Sequence, residues 1–173
     1  MTQLQTRPSG LAVVKSSITI DISDMKISRN RNDVLVTYSL GSCVGLTLYD
    51  PVVGIGGMIH CMLPLSKIDP EKAKTKPFMF VDTGVAHMLG ELYRMGAQRR
   101  NLIAKVAGAG SPLGREETWR IGQRNYTILR KLLWKNNILI EKEDVGGSKA
   151  RTLYLYMANG RTAVKSEGKE VEL

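Results

Sequence analysis

The feature that most limits the fold is a series of short apolar stretches with the two-residue period of β-strands, each ended by a turn or a break. In Val44–Tyr49, every second residue is Val or Leu, and Gly, Thr and Tyr lie between them. That alternation is expected of a strand with two distinct faces. Pro64 ends the next such stretch, because proline has no amide hydrogen to donate to a ladder. The chain is therefore predicted to contain hairpins.

Eight strands and two helices are predicted from these patterns. The strands are Ile18–Ile22, Val34–Leu40, Val44–Tyr49, Ile55–Leu63, Leu102–Val106, Ile138–Val145, Thr152–Met157 and Thr162–Lys165. The helices are Val81–Met95 and Ile121–Lys135, in which apolar side chains recur on one face. The polar segment Ser66–Lys76 is predicted to be an exposed loop, and Asn159-Gly160 to form a hairpin turn. Together these elements indicate a mixed α/β fold.

Length and composition favour one folded domain. The chain has 173 residues, of which 43% are hydrophobic and 24% are charged, as in ordinary globular proteins. Residues 1–16, with a breaker at Pro8-Ser9-Gly10, are predicted to be a mobile arm, and residues 17–173 a single domain. No apolar run is long enough for a transmembrane helix or for a signal-peptide core. We therefore expect no membrane insertion and a cytoplasmic protein.

The net charge of +9 allows three interpretations. Basic residues recur between Arg94 and Lys135, but without a nucleic-acid-binding motif or a series of stacking aromatic residues. Solvated helix faces are the first interpretation, and attraction to an acidic protein partner is the second. Nucleic-acid binding comes last, so no nucleic-acid partner is predicted.

Cys43 and His60 are the strongest candidates for chemistry. If Asp50–Val53 is the turn between two strands, Tyr49 faces Gly54 and Cys43 lies directly opposite His60. Directly opposed residues point to the same face, with Cβ atoms about 4.5–5.5 Å apart. A thiol and an imidazole at that separation can share a proton, as covalent thiol catalysis requires. A lone cysteine is more often a small buried hydrophobe, and spacing alone leaves both interpretations open.

An imidazole base needs a third group that holds it in one tautomer, and Thr37 is the candidate. If the chain folds back around Leu40, Thr37 lies opposite Cys43, and Gly41 makes such a reversal easier. The backbone amides around Gly41, Ser42 and Cys43 would then form an oxyanion hole.

The glycine-rich loop 107–114 is predicted to be a tight wall of the site. Leu113 occupies the position where a dinucleotide fingerprint needs its third glycine, and the Gly-Lys-Ser/Thr of a Walker A motif is missing. Gly108 and Ala109 are expected to contact substrate. Cys61 points away from His60 and is expected to be packing. The cysteines and histidines do not follow metal-ligand spacing, so neither a metal nor another cofactor is predicted.

The segments around these residues resemble the signature of the chemoreceptor glutamine deamidases, the CheD family. The similarity covers roughly residues 18–166, in order and in spacing. The matching segments are Thr37, Leu40-Gly41-Ser42-Cys43-Val44, Leu48-Tyr49-Asp50, Ile55-Gly56-Gly57, His60, Met62-Leu63-Pro64, Asp82-Thr83, Gly96, Lys105-Val106, Gly108–Gly110, Ile121-Gly122, Arg124-Asn125, Gly146-Gly147 and Arg151. One departure is Ala107-Gly108-Ala109, where the family usually has Gly-Gly-Ala.

The resemblance implies a layered α/β sandwich with a mainly antiparallel sheet and two main helices. It also implies that the protein is a Cys-His-Thr hydrolase. Cys43 would be the nucleophile, His60 the general base and Thr37 the residue that orients His60. The implied reaction is that of a protein-glutamine glutaminase, which hydrolyses glutamine side chains of methyl-accepting chemotaxis receptors to glutamate. The implied partners are these receptors and a phosphatase of the CheC type, which members of the family can bind.

Three alternatives stay open at this point. A transglutaminase would form the same thioester and let an amine attack it. A non-catalytic module would only bind receptors or a CheC-type phosphatase. A basic nucleic-acid binder would lose affinity steeply with added salt. The sequence makes no prediction about the oligomeric state.

Overall fold

Ten strands and three α-helices make up the part of the chain that the computed structural model describes, residues 16–112 and 120–173. The strands are β1 Ser16–Thr19, β2 Asp24–Ser28, β3 Asp33–Leu40, β4 Val44–Asp50, β5 Ile55–Cys61, β6 Ile103–Gly108, β7 Ile140–Val145, β8 Arg151–Tyr156, β9 Arg161–Ser166 and β10 Lys169–Glu172. The α-helices are α1 Pro70–Thr75, α2 Val81–Arg94 and α3 Ile121–Lys135, and 3₁₀ turns cover Ser66–Ile68, Pro77–Met79 and Arg99–Asn101. The arm predicted for residues 1–16 lies outside the described residues except for Ser16, which begins β1.

The strands form two five-stranded sheets, each mainly antiparallel. The first sheet has the order β1-β3-β8-β9-β10, and the second has the order β2-β5-β4-β6-β7. Each sheet contains one parallel pair, β1 with β3 and β6 with β7, and the remaining described pairs are antiparallel. Asn159-Gly160 lies in the connection of the antiparallel β8–β9 hairpin, as predicted.

The second sheet lies between the first sheet and the long helices, which gives three layers. One apolar core, called the inter-sheet core, is buried between the sheets and comprises Ile20, Leu35, Leu40, Tyr49, Met58, Ala107, Leu153, Leu155, Met157 and Val164. The other, called the helix-side core, joins the opposite face of the second sheet to α2 and α3. Its largest members include Leu46, Leu48, Ile55, Ile59, Met88, Leu92, Leu129 and Leu133. This arrangement confirms the predicted mixed α/β fold.

Besides shifts of several element ends, such as the first strand at Ser16–Thr19 instead of the predicted Ile18–Ile22, the predicted and observed elements differ in three places. The helix α3 has the predicted bounds, but the strands β2 and β10 were not predicted. The segment Ser66–Lys76 is exposed as expected, yet it contains a 3₁₀ turn and α1 rather than only loop. Asp69 caps α1 by accepting the Lys72 amide hydrogen, and Pro70 occupies the first turn. These are ordinary helix-start signals.

The β4–β5 hairpin differs in register from the predicted one. The turn consists of residues 51–54, and Asp50 stays in β4 opposite Ile55. The Asp50 carboxylate accepts the amide hydrogens of Val52 and Val53, which stabilises this later turn. The predicted turn therefore began one residue too early.

The shift in register changes the partner of His60 but not the face to which it points. His60 lies opposite Gly45 rather than opposite Cys43, so the predicted direct pairing is wrong. Because side chains alternate with a period of two, a shift of two residues preserves the face of each side chain. Cys43 and His60 were therefore assigned to the correct common side of the second sheet.

The predicted fold-back that places Thr37 opposite Cys43 is also wrong. The strand β3 pairs with β1 and β8 in the first sheet, whereas β4 pairs with β5 and β6 in the second. Residues 41–43 carry the chain from one sheet to the other. Thr37 consequently faces the second sheet from across the inter-sheet core.

Candidate active site

The candidate active site lies between the sheets, because its side chains come from both. His60, on β5, is completely buried, and Thr37, on β3, is buried as well. The Thr37 Oγ1 atom lies 2.7 Å from His60 Nδ1. The same hydroxyl donates its hydrogen to the backbone carbonyl oxygen of Ile20, at 2.7 Å. The structure therefore brings the predicted Thr37 and His60 into direct contact.

These two hydrogen bonds decide the tautomer of His60. A threonine hydroxyl has one hydrogen to donate, and a carbonyl oxygen can only accept. Since Thr37 donates to Ile20, it must accept from His60, so the ring hydrogen is on Nδ1. His60 Nε2 then carries a free lone pair. This atom is buried and has no hydrogen-bond partner among the described residues.

The electrostatic surroundings keep the candidate pair uncharged. Burial lowers the pKa of His60 to about 4, although the nearby negative charge of Asp21 opposes the effect. Burial also raises the pKa of the Cys43 thiol, while its own backbone amide hydrogen favours the thiolate and opposes that rise. At neutral pH the pair therefore rests as a thiol and a neutral imidazole.

Cys43 lies at the start of β4, on the side of the sheet to which His60 points. It is partly exposed and packs against the inter-sheet core. Gly45, two residues later, is the direct partner of His60, so Cys43 occupies the diagonal position, for which Cβ atoms in a regular ladder are about 7–8 Å apart. Cys61 is buried in the helix-side core, as expected for packing. Burial raises the pKa of its thiol.

Gly108 and Ala109 support the Cys43 segment from behind. Both have left-handed backbone angles, with φ of 98° and 53°. A Cβ atom at Gly108 would collide with the Cys43 carbonyl oxygen, so only glycine fits this close approach. The Ala109 amide donates to that oxygen at 2.7 Å, and the Gly110 amide donates to the Gly41 carbonyl at 2.7 Å. Contact of this loop with substrate stays a prediction.

Among the described residues, one of the three predicted oxyanion-hole amides donates to a carbonyl oxygen of another residue, and the other two do not. The Gly41 amide donates to the Ser39 carbonyl oxygen at 2.9 Å. Neither the Ser42 amide nor the Cys43 amide donates to a backbone carbonyl of another residue within 16–112 and 120–173. These two N–H groups can therefore donate to a bound ligand.

Asn125 belongs to the candidate site, although the sequence analysis assigned no role to it. It is completely buried on α3, and its Nδ2 donates to the carbonyl oxygens of Ser42 and Met62, at 3.0 Å each. Ser42 directly precedes Cys43, and Met62 follows shortly after β5. One side-chain amide thus connects the Cys43 segment to the end of the strand that carries the candidate base.

A sequence signal for Asn125 did exist. The buried residues of α3 are Gly122, Asn125, Leu129 and Leu133, with the spacing of one helix face. A polar residue within such a stripe is buried without solvent, so it needs partners inside the protein. The Ile20 carbonyl, by contrast, gave no signal, because any residue type supplies the same oxygen.

The described parts of the chain were also searched for metal ligands and membrane spans. No group of three or more His, Cys, Asp or Glu side chains that could hold a metal ion occurs in them. No helix in these ranges is both long enough and apolar enough to cross a membrane.

Comparison with known proteins identifies close relatives. A family model, CheD, described as CheD chemotactic sensory transduction, matches residues 62–166. The "Probable chemoreceptor glutamine deamidase CheD 1" of Syntrophus aciditrophicus is 47% identical over 151 residues, which are 87% of this chain and 94% of the relative. The "Probable chemoreceptor glutamine deamidase CheD" of Solibacter usitatus is 44% identical over 90% of this chain and 92% of the relative.

Similarity also extends to a relative from Pyrococcus horikoshii and to a solved structure. The Pyrococcus protein, also named "Probable chemoreceptor glutamine deamidase CheD", is 35% identical over 90% of this chain and 96% of the relative. The crystal structure of Bacillus licheniformis hypothetical protein YfiH has a TM-score of 0.45 at 14% identity, over 70% of this chain and 49% of that one. The latter similarity is too low to support a conclusion.

Proposed function

The chain belongs to the CheD family, and from this premise we propose that it is a chemoreceptor glutamine deamidase with Cys43 as its nucleophile. The observation that carries the proposal is the free lone pair on His60 Nε2. The single Thr37 hydroxyl hydrogen is used by Ile20, which makes the outer ring nitrogen a proton acceptor on the side of the sheet where Cys43 lies. A neutral imidazole in a fixed tautomer is what a general base requires.

The first half of the reaction forms a thioester. His60 Nε2 removes the proton from Cys43 Sγ while the sulfur attacks the side-chain amide carbon of a substrate glutamine. The amide oxygen becomes an oxyanion, which accepts hydrogen bonds from the backbone amides of Ser42 and Cys43. The imidazolium then gives its proton to the amide nitrogen, the C–N bond breaks and ammonia leaves.

The second half regenerates the enzyme. His60 takes a proton from water, and the resulting hydroxide attacks the thioester carbon. The tetrahedral intermediate uses the same two amides, and the C–S bond breaks. Cys43 recovers its proton from the imidazolium, and the product is a glutamate side chain. One water molecule is consumed in this half, and the remaining groups used in both halves belong to the chain or to the substrate.

The proposal also includes the surroundings of the reaction. The substrates would be glutamine side chains of chemoreceptors, as the names of the relatives state for those proteins. We further propose a cytoplasmic location and regulation by a CheC-type phosphatase.

The test is mass spectrometry of receptor peptides incubated with the wild type and with Cys43→Ala. We expect conversion of glutamine to glutamate with release of ammonia by the wild type. Cys43→Ala should fall to the uncatalysed background, because the nucleophile is absent. Cys61→Ala is the matched control: it removes the other thiol, which lies on the helix side of the sheet, and should keep the conversion.

Three results would contradict the proposal. Conversion by Cys43→Ala at the wild-type rate would remove Cys43 from the mechanism. Incorporation of an added primary amine, without formation of glutamate, would make the protein a transglutaminase. Receptor binding by a folded wild type that forms no glutamate would favour a non-catalytic module.

A further inference from the structure

Three consecutive carbonyl groups around Cys43 are each held by one donor from the protein. The Gly41 carbonyl accepts from the Gly110 amide and the Cys43 carbonyl accepts from the Ala109 amide, at 2.7 Å each. The carbonyl between them, that of Ser42, accepts from the Asn125 side chain at 3.0 Å. The middle anchor is therefore the only one of the three that a side chain supplies within the described residues.

The direction of a held carbonyl sets the direction of the next amide. No cis peptide bond occurs in the described part of the chain, and in a trans peptide the C=O and the following N–H point in opposite directions. Because Asn125 holds the Ser42 oxygen on the α3 side, the Cys43 N–H is directed away from α3. No other residue among those described accepts from that N–H in the backbone hydrogen bonds.

The chemistry of the Asn125 side chain also fixes its orientation. Its Nδ2 faces two carbonyl oxygens, so a flipped amide would bring three acceptors together. In the correct orientation, Oδ1 is buried and has no hydrogen-bond partner among the residues that the structure describes. The two donated hydrogen bonds are therefore the contacts through which this side chain acts on its surroundings, and one of them fixes the Ser42 carbonyl oxygen.

From this geometry we infer that Asn125 is the positioning residue of an oxyanion hole, which aims the Cys43 N–H at the oxyanion formed on the attacked carbonyl. The inference rests on the proposed thioester chemistry and extends it to a residue that does not touch the substrate. Its effect should appear only in reactions that pass through an oxyanion. Reactions of the same thiol that form no oxyanion should be unchanged.

Two probes separate these cases on the same cysteine. Acylation of Cys43 by p-nitrophenyl acetate passes through a tetrahedral oxyanion: the sulfur bonds to the acetyl carbon, its proton goes to His60, and p-nitrophenolate leaves. Alkylation by iodoacetamide displaces iodide directly and forms no oxyanion. Acylation is followed by release of p-nitrophenolate, and alkylation by peptide mass spectrometry at Cys43.

The variants are Asn125→Ala and Asn125→Leu, with Asn136→Ala as the control. Leu nearly matches the shape of Asn and leaves no cavity, so it should fold even if the Ala variant does not. Asn136 lies at the other end of α3, and its Nδ2 also donates to a backbone carbonyl, that of Leu132, at 2.9 Å. It loses a comparable hydrogen bond far from Cys43.

We expect both Asn125 variants to acylate about 10- to 100-fold more slowly than the wild type, since loss of a direct oxyanion donor costs about 10²- to 10³-fold. Alkylation should stay within about threefold, and Asn136→Ala should match the wild type in both reactions. Acylation at the wild-type rate in Asn125→Leu would overturn the inference. A parallel loss of acylation and alkylation would also overturn it, since Asn125 would then position the thiol itself.

The same experiment keeps this inference apart from the proposed function. Glutamate formation from receptor peptides is measured alongside the two probes. A wild type that acylates with the ester but leaves receptor glutamines unchanged would contradict the deamidase proposal. The ratio of acylation to alkylation in the Asn125 variants would still decide the role of Asn125.

Discussion

The location of a single hydrogen determines what His60 can do. The Thr37 hydroxyl donates to a backbone carbonyl and accepts from the ring, which leaves Nε2 as the acceptor. Thr37 thus acts on the tautomer rather than on the charge of the imidazole. A residue that lacks this hydroxyl would leave both tautomers accessible and the Ile20 carbonyl unpaired.

Replacement of Thr37 by valine tests this role at nearly constant shape. We expect kcat/KM for deamidation to fall at least about tenfold, because the imidazole loses the partner that fixes its tautomer. Thr37→Ser, which keeps the hydroxyl, should retain most of the activity. Thr47→Val is the control, since Thr47 is equally buried but its nearest hydrogen-bond partners lie 3.4 and 3.5 Å away. Full activity in Thr37→Val would show that His60 is held by other contacts.

The buried neutral state of His60 predicts a dependence of stability on pH. The pKa of His60 is about 4 in the folded chain and 6.5 without the burial, so between these values the unfolded chain binds a proton that the folded chain does not. The free energy of unfolding should therefore fall as the pH is lowered from about 6.5 towards 4, by about 2 kcal/mol between pH 7 and pH 5 from this group.

Urea unfolding of the wild type and of His60→Gln at pH 7 and pH 5 measures this contribution. The variant should lose less stability on acidification than the wild type, by about the stated difference. His87→Gln, at an exposed position on α2, is the control and should follow the wild type. Equal losses in the wild type and in His60→Gln would mean that His60 is protonated in the folded chain.

Among the secondary-structure elements, the start of α3 and the loop after β6 hold the Cys43 segment in place. Gly122 lets α3 approach this loop closely, because a Cβ atom there would collide with the carbonyl oxygens of Ala109 and Gly110. Asn125, on the same face of the helix one turn later, can then reach Ser42. The spacing of these two residues on α3 therefore links helix packing to the active-site backbone.

Two glycine-to-alanine changes in helices should have opposite effects. Gly122→Ala should lower the free energy of unfolding by about 1–3 kcal/mol through overpacking, and should reduce deamidation because the loop that supports Cys43 moves. At Gly90 in α2, an added Cβ atom meets no atom within 4 Å. Gly90→Ala should therefore raise the free energy of unfolding by up to about 1 kcal/mol. Thermal unfolding and activity assays of both variants check this. A fully active and stable Gly122→Ala would mean that α3 can move away from the loop without effect.

The elements themselves were largely predictable, because their signals are local. The α3 bounds follow from apolar spacing, and the strand β4 follows from alternation between Val44 and Tyr49. The hairpin register could not be predicted in the same way, since it depends on whether Asp50 belongs to the strand β4 or to the turn that follows it. Its carboxylate accepts from the Val52, Val53 and Gln98 amides, and the last of these lies 48 residues away along the chain.

Viewed as a whole molecule, the site depends on how the two sheets are packed. Thr37 belongs to the first sheet and His60 to the second, so their 2.7 Å contact crosses the inter-sheet core. The helix-side core, on the other face of the second sheet, takes no direct part in that contact. Equal losses of stability in the two cores should therefore have unequal effects on activity.

Leu153→Ala and Leu92→Ala compare the two cores. Both leucines are completely buried, and each change should cost about 2–5 kcal/mol. Leu153 is the register partner of Thr37, so its loss should reduce kcat/KM at a temperature where both variants are folded. Leu92→Ala should lower the unfolding temperature by a similar amount with little change in kcat/KM. Equal activity in the two variants would show that the packing between the sheets does not position His60.

The sequence by itself determined the fold class, most elements, the common face of Cys43 and His60, and the residue types for thiol chemistry. These depend on periodicity and on local turn signals, which adjacent residues carry. Only the tertiary structure decided that Thr37 reaches His60 from a different sheet, that Ile20 receives its hydrogen and that Asn125 holds Ser42. These contacts join segments far apart in the chain, and two of the three end on backbone carbonyl oxygens, which every residue has, so local patterns of side chains do not specify them.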